Sequence, residues 1–109
     1  MLPNNRYPQY VFILTYDIKQ GVYERYFRWV TNQFVPAMQN RKLYLQHLWH
    51  VISIAEKHPQ RRIEFVSEEL DTIRRLLESS EWKDLEERLN YFSENLSYRV
   101  VKYNGSFRI

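Results

Sequence analysis

No cysteine occurs in this sequence, which excludes disulfides, thiolate metal sites and a cysteine nucleophile and makes a reducing, cytoplasmic setting the expectation. Glycine is almost as scarce. Gly21 and Gly105 are the only two, so the glycine-rich loops that cradle nucleotide phosphates have no counterpart. Long apolar runs are missing too: Val11 to Leu14 is the longest, far short of the roughly 20 residues that cross a bilayer. The first residues do not show the basic, apolar, small-residue order of a signal peptide, and a soluble protein is expected. Lysine and arginine outnumber aspartate and glutamate, 16 to 13, yet form no run longer than two. Nucleic-acid binding therefore has little electrostatic footprint, and no nucleic-acid or membrane partner is expected. The charge is unevenly divided, because the stretch from Glu68 to Glu94 holds nine acids and four bases while the whole chain carries a formal +3.

What the chain has in plenty is aromatic surface, 17% of its residues. At 109 residues it reads as one domain, with a core at about residues 10 to 103. A domain of that size buries only about two thirds of its unfolded surface. So much aromatic area on a small core implies that part of it meets a partner.

Tyr10 to Asp17 is β-branched and aromatic and apolar at both alternating sets of positions, which predicts a buried central strand. From Val22 the period lengthens to that of a helix, with Val22, Tyr26, Trp29 and Val30 in one stripe, and Pro36 is expected to kink or end it. Leu43 to Ala55 fits either a helix or a strand by spacing. Its cluster Val51, Ile52 and Ile54, and the turn Glu56-Lys57-His58-Pro59 leading into Arg62 to Val66, favour a hairpin. Ser67 is expected to cap a helix with core face Leu70, Ile73, Leu76 and Leu77, and Ser80 a second piece with face Trp82, Leu85, Leu89 and Phe92. Ser97 to Tyr103 supplies a last strand. The order is βαββαβ, an α+β ferredoxin-like plan with an antiparallel sheet.

The aromatic helix ending near proline (Tyr26, Trp29, Pro36), the Trp49-His50 strand, Pro59, the stretch EFVSEELDTIRRLLESSEWKDLEERL and the final Tyr-Arg-Val-Val strand resemble the dimeric α/β-barrel superfamily, and within it the NIPSNAP-like proteins of unknown function. The resemblance implies a homodimer of ferredoxin-like protomers packed sheet to sheet, each with a small-molecule pocket. Members of that superfamily include cofactor-free monooxygenases, haem-degrading and haem-binding enzymes, and cyclising or decarboxylating enzymes. One departure is visible: Arg41 and Lys42 stand where a glycine is expected before the second strand.

The histidines pose the sharpest question. His47 and His50 are three residues apart, a spacing that shares one face of a helix but diverges on a strand. On the strand reading they hold no common metal, and neither metal nor cofactor is expected. Strict alternation puts Leu43, Leu45, His47, Trp49 and Val51 under the helices, making His47, Trp49 and Trp29 candidate ligand contacts. It leaves Tyr44, Gln46, Leu48, His50 and Ile52 toward a partner sheet. A turn centred near Lys57 and His58 would bring Glu64 diagonal to His50. That pair suits a general base as well as a structural bridge across a dimer. Tyr16, at the end of the first strand, could hydrogen-bond a ligand or simply pack on the helix. The favoured function is binding of a small aromatic or apolar molecule between sheet and helices. The alternatives are a cofactor-independent oxygenase or haem-related enzyme using His50, Trp49, Trp29 and Tyr16, and a purely structural module.

Overall fold

The computed structural model describes residues 9–52 and 59–103, with backbone alone for 47–52, 59 and 60. Four strands, β1 (Tyr10–Ile18), β2 (Tyr44–Ile52), β3 (Pro59–Ser67) and β4 (Ser93–Lys102), form one antiparallel sheet in the order β2-β3-β1-β4. With its helices this is the ferredoxin-like βαββαβ arrangement expected from the sequence. The central place of β1, hydrogen-bonded to β3 on one side and β4 on the other, explains why its residues are apolar at both sets of positions.

The first helix does not stop at its proline. Tyr23–Trp29 (α1) passes through a π-helical stretch, Val30–Phe34, into Val35–Asn40 (α2). The Val35 N–H reaches back five residues to the Val30 carbonyl. A widened turn just before Pro36 makes room for its ring and absorbs its missing donor, and the axis continues. The helix then closes in a Schellman motif: Leu43 N–H donates to the Met38 carbonyl at 3.0 Å and Lys42 N–H to the Gln39 carbonyl at 2.9 Å. This motif needs a left-handed residue, usually glycine, at the position of Lys42. Lys42 indeed has φ +66°. The residue that stands in place of an expected glycine thus takes a glycine's conformation, and Met38 and Leu43 bury themselves on either side of it.

The second helical layer is split as expected, with both N-caps shifted by a residue or more. It consists of α3 (Leu70–Leu77) and α4 (Ser80–Phe92). Ser79, not Ser80, caps α4, its hydroxyl accepting the Trp82 N–H at 3.1 Å. Ser67 belongs to β3, and its hydroxyl engages Glu69 rather than the first turn of α3. Leu70 is consequently exposed, while Ile73 and Leu76 enter the core. The face of α4 forms as expected around Trp82, Leu89 and Phe92.

All the helical residues in the core join one side of the sheet, where Phe12, Leu14, Tyr16 and Ile18 of β1 and Ile63 and Phe65 of β3 meet Tyr26, Trp29, Phe34, Trp82 and Phe92. Edge-to-face contacts dominate, among them Phe12–Trp82 at 5.6 Å between ring centroids and Trp82–Tyr98 at 5.5 Å. The opposite side carries a smaller cluster of Val11, Ile13 and Val66, with Tyr44, Val101 and Tyr103 around it.

Candidate functional site

Alternation along β3 places Arg61, Ile63 and Phe65 on the helix-covered side, so its first member puts a guanidinium into the core layer. Arg61 is 5% exposed. Across the β1–β3 ladder it stands opposite Tyr16, and across the β2–β3 ladder opposite His50. Tyr16 is fully buried, and its hydroxyl shares a hydrogen bond with that of Tyr26, which α1 projects from above. The two rings meet edge to face at 5.8 Å.

Arg61 donates through Nη2 to the Tyr23 hydroxyl. Its guanidinium carbon lies 5.3 Å from the Tyr23 ring centre and 5.9 Å from that of Tyr26, within cation–π range. Its Nε is buried without an acceptor, and none of the ion pairs among the described residues involves it. Burial pushes the Tyr16 hydroxyl well above the ordinary tyrosine range, reinforced by Tyr26, while Arg61 opposes the shift. Burial likewise raises Tyr26 to about 12, against hydrogen bonding from Tyr16 and the charge of Arg61. Both hydroxyls are therefore neutral around pH 7. The arrangement is a buried cation flanked by neutral hydroxyls, a set of groups suited to an acidic oxygen.

The candidates read from the sequence divide between the two sides of the sheet. Tyr16 lies in the buried row with Arg61, as an interior residue rather than one on the rim. Trp29 is buried at 5.1 Å from Phe34 and 5.7 Å from Phe92. His47 pairs with Glu64, Trp49 with Arg62 and His50 with Arg61. This reverses the expected sides. The register shifts by one residue between Leu45 and His47, so Leu45 joins the covered core while His47 and Trp49 pair with residues of the uncovered side. His50 accordingly belongs by register to the covered side. Glu64 is thus neither beside His50 nor opposite Val51 or Ile52, and the His50–Glu64 pair does not form. Instead Arg62 binds Glu64, with Nη2 at 3.0 Å and Nε at 3.1 Å from the same carboxylate oxygen. The side chains of His47, Trp49 and His50 lie outside the described residues, as does most of the turn from Glu56 to Pro59.

Arg61, Tyr26 and Tyr23 complete the cluster and were not among the candidates. Tyr26 looked like helix core, which it also is, and Arg61 like one of many dispersed surface cations. Its signal was the alternation of Ile63 and Phe65, which carried back two residues lands on an arginine.

The class that this architecture defines is the ferredoxin-like α+β fold. No protein-family model matches the sequence, and no curated protein sequence does so. Solved structures do. An uncharacterised NIPSNAP domain protein from Burkholderia xenovorans superposes with a TM-score of 0.65 at 14% identity, over 90% of this chain and 96% of that one. A NIPSNAP family protein from Agrobacterium tumefaciens gives 0.63 at 16%, over 95% and 93%. A candidate antibiotic biosynthesis monooxygenase from Bacillus cereus gives 0.58 at 10%, over 94% and 100%. At such identities the likeness is one of fold.

Proposed function

We propose that this chain is a cytoplasmic, homodimeric small-molecule-binding protein whose ligand is a planar aromatic bearing an acidic oxygen, received between the sheet and α1 by Arg61, Tyr16, Tyr26 and Tyr23. One observation carries the reading: a guanidinium 5% exposed, with an orphaned Nε and no carboxylate partner among the described residues. Buried cations are ordinarily paired, and an unmet buried donor costs about 1–3 kcal/mol. A ligand anion would supply the missing partner, and the surrounding rings would take its planar body. Calorimetric titration with benzoate and 4-hydroxybenzoate, against benzyl alcohol as the uncharged control, tests this. The acids should bind and the alcohol should not, and Arg61→Met should weaken binding roughly 10- to 100-fold, the value of a charged hydrogen bond. Equal binding of acid and alcohol would refute the assignment.

Dimerisation through the uncovered side of the sheet is supported by its apolar cluster and by the absence of any helix on that side among the described residues. Light scattering at micromolar concentration should give twice the chain mass of 13.6 kDa. No helix among the described residues is long and apolar enough to cross a membrane.

The same cluster favours a second reading, cofactor-independent oxygenation, in keeping with the monooxygenase candidate among the structural neighbours. A cation that holds a phenolic substrate as its anion makes it electron-rich enough to react with dioxygen, the substrate supplying the electrons that reduce the second oxygen atom to water. Oxygen uptake with hydroquinones, lost in Arg61→Met, would establish it. An absorption spectrum of the purified protein separates either reading from haem chemistry.

A further inference from the structure

On the outside of the helical layer, the outer surface of α1 and its π-helical continuation meets the C-terminal half of α4 in a shallow cleft of about 300 Å³. Three arginines line it: Arg25 and Arg28 from α1 and Arg88 from α4. Arg25, Arg28 and Asn32 fall at helical spacings of three and four, so one face delivers all of them. Trp29, Tyr91 and Phe92 supply an aromatic wall, of which Tyr91 is 51% exposed. The acids Glu24, Asp84 and Glu87 share these helices. The ion pairs among the described residues nevertheless form elsewhere, at Arg41–Glu81, Arg62–Glu64 and Asp71 with Arg74 and Arg75.

Three guanidiniums around one small cleft repel one another, and no carboxylate of the described residues forms an ion pair with any of them. Each presents a planar fork that matches two oxygens of a phosphate or carboxylate. A single carboxylate would leave two of the three cations uncompensated, whereas a phosphomonoester brings about two negative charges and three acceptor oxygens. The exposed aromatic edge beside them fits a planar ring. We infer that this cleft is a second binding site, for an aromatic phosphomonoester whose phosphate is held by Arg25, Arg28 and Arg88 and whose ring lies against Tyr91 and Trp29. It is separate from the Arg61 cluster and stands or falls independently of it.

The test follows the arginine Nε and tryptophan Nε1 resonances of the full-length protein while phenyl phosphate, inorganic phosphate or phenol is added. Phenyl phosphate should give saturable shifts at Arg25, Arg28, Arg88 and Trp29, inorganic phosphate weaker ones at the arginines, and phenol none. Arg88→Gln should weaken phenyl phosphate about tenfold, and the Arg25→Gln, Arg28→Gln, Arg88→Gln triple variant should abolish saturation. These residues are exposed, so the melting temperature should hardly move, and Arg61→Met should leave phenyl phosphate binding unchanged. Absence of saturation in the wild type, or saturation undiminished in the triple variant, would overturn the proposal. So would a single-stranded oligonucleotide that shifts the same resonances at far lower concentration than phenyl phosphate, because the cleft would then be part of a nucleic-acid surface.

Discussion

The two sides of the sheet treat a buried charge in opposite ways. On the uncovered side Glu64, 0% exposed, is met by an arginine two residues earlier in its own strand. On the covered side Arg61, almost as deeply buried, meets tyrosines and no carboxylate among the described residues. A compensated charge is a structural device, since removing its partner leaves a desolvated ion behind. An uncompensated one costs stability continuously and is a natural place for a ligand to act. The two faces of one strand, β3, thus carry a buried charge held by its partner and a buried charge that is not.

The contrast can be broken most forcefully through the packing of the covered side. Trp82→Ala should cost about 3–5 kcal/mol in a denaturant melt, because it removes a buried ring braced by Phe12 and Tyr98. Ile13→Val on the other side should cost only about 0.5–1.5 kcal/mol. Next comes pH. Both tyrosine hydroxyls are raised in the folded state, Tyr26 to about 12, so the stability they contribute is intact below the unfolded value near 10 and is lost as pH climbs through the folded values. Between pH 10 and 12 stability should fall by up to about 1.4 kcal/mol per pH unit for each tyrosine. Tyr26→Phe should remove one share of that slope, and a profile as steep as wild type would mean that Tyr26 is not held neutral.

A direct comparison of the charges gives a smaller effect but one of opposite sign on the two sides. Glu64→Gln should destabilise by about 1–2 kcal/mol, moderated because Arg62 is 38% exposed and can turn to water. Arg61→Met should stabilise by about 1 kcal/mol while weakening the acids' binding, as replacement of an unpaired buried ion by an apolar group does. Loss of stability in both variants would make Arg61 structural. Smallest of all, Lys42→Gly should add about 0.5–1 kcal/mol by relieving a left-handed lysine, measurable as a raised denaturation midpoint at unchanged slope.

Much of the architecture was readable because patterning is strong where burial is strong. β1, apolar at every position from Val11 to Leu14, had to be central, and the face of α4 could be named from Trp82, Leu89 and Phe92. Three features escaped that logic. Pro36 normally ends a helix, and nothing in the residues before it announces a π turn able to carry it. Arg61 looked like solvated charge because most arginines are. The bulge in β2 hid itself completely: Leu43 to Val51 alternates plausibly without interruption, and only the pairing with β3 reveals the extra residue at Gln46. Site candidates chosen by alternation beyond that point fall by register on the other side of the sheet.

That one residue also bears on how this chain is compared with others. Any ungapped alignment of β2 with a strand that lacks the insertion matches His47 to a neighbour's inward position and His50 to an outward one, inverting every correspondence from there to Ile52. Percent identity would scarcely register the error, since the strand is only nine residues long. A single gap at Gln46 restores the phase, and transfer of a functional histidine between this protein and a relative hinges on where that gap is placed.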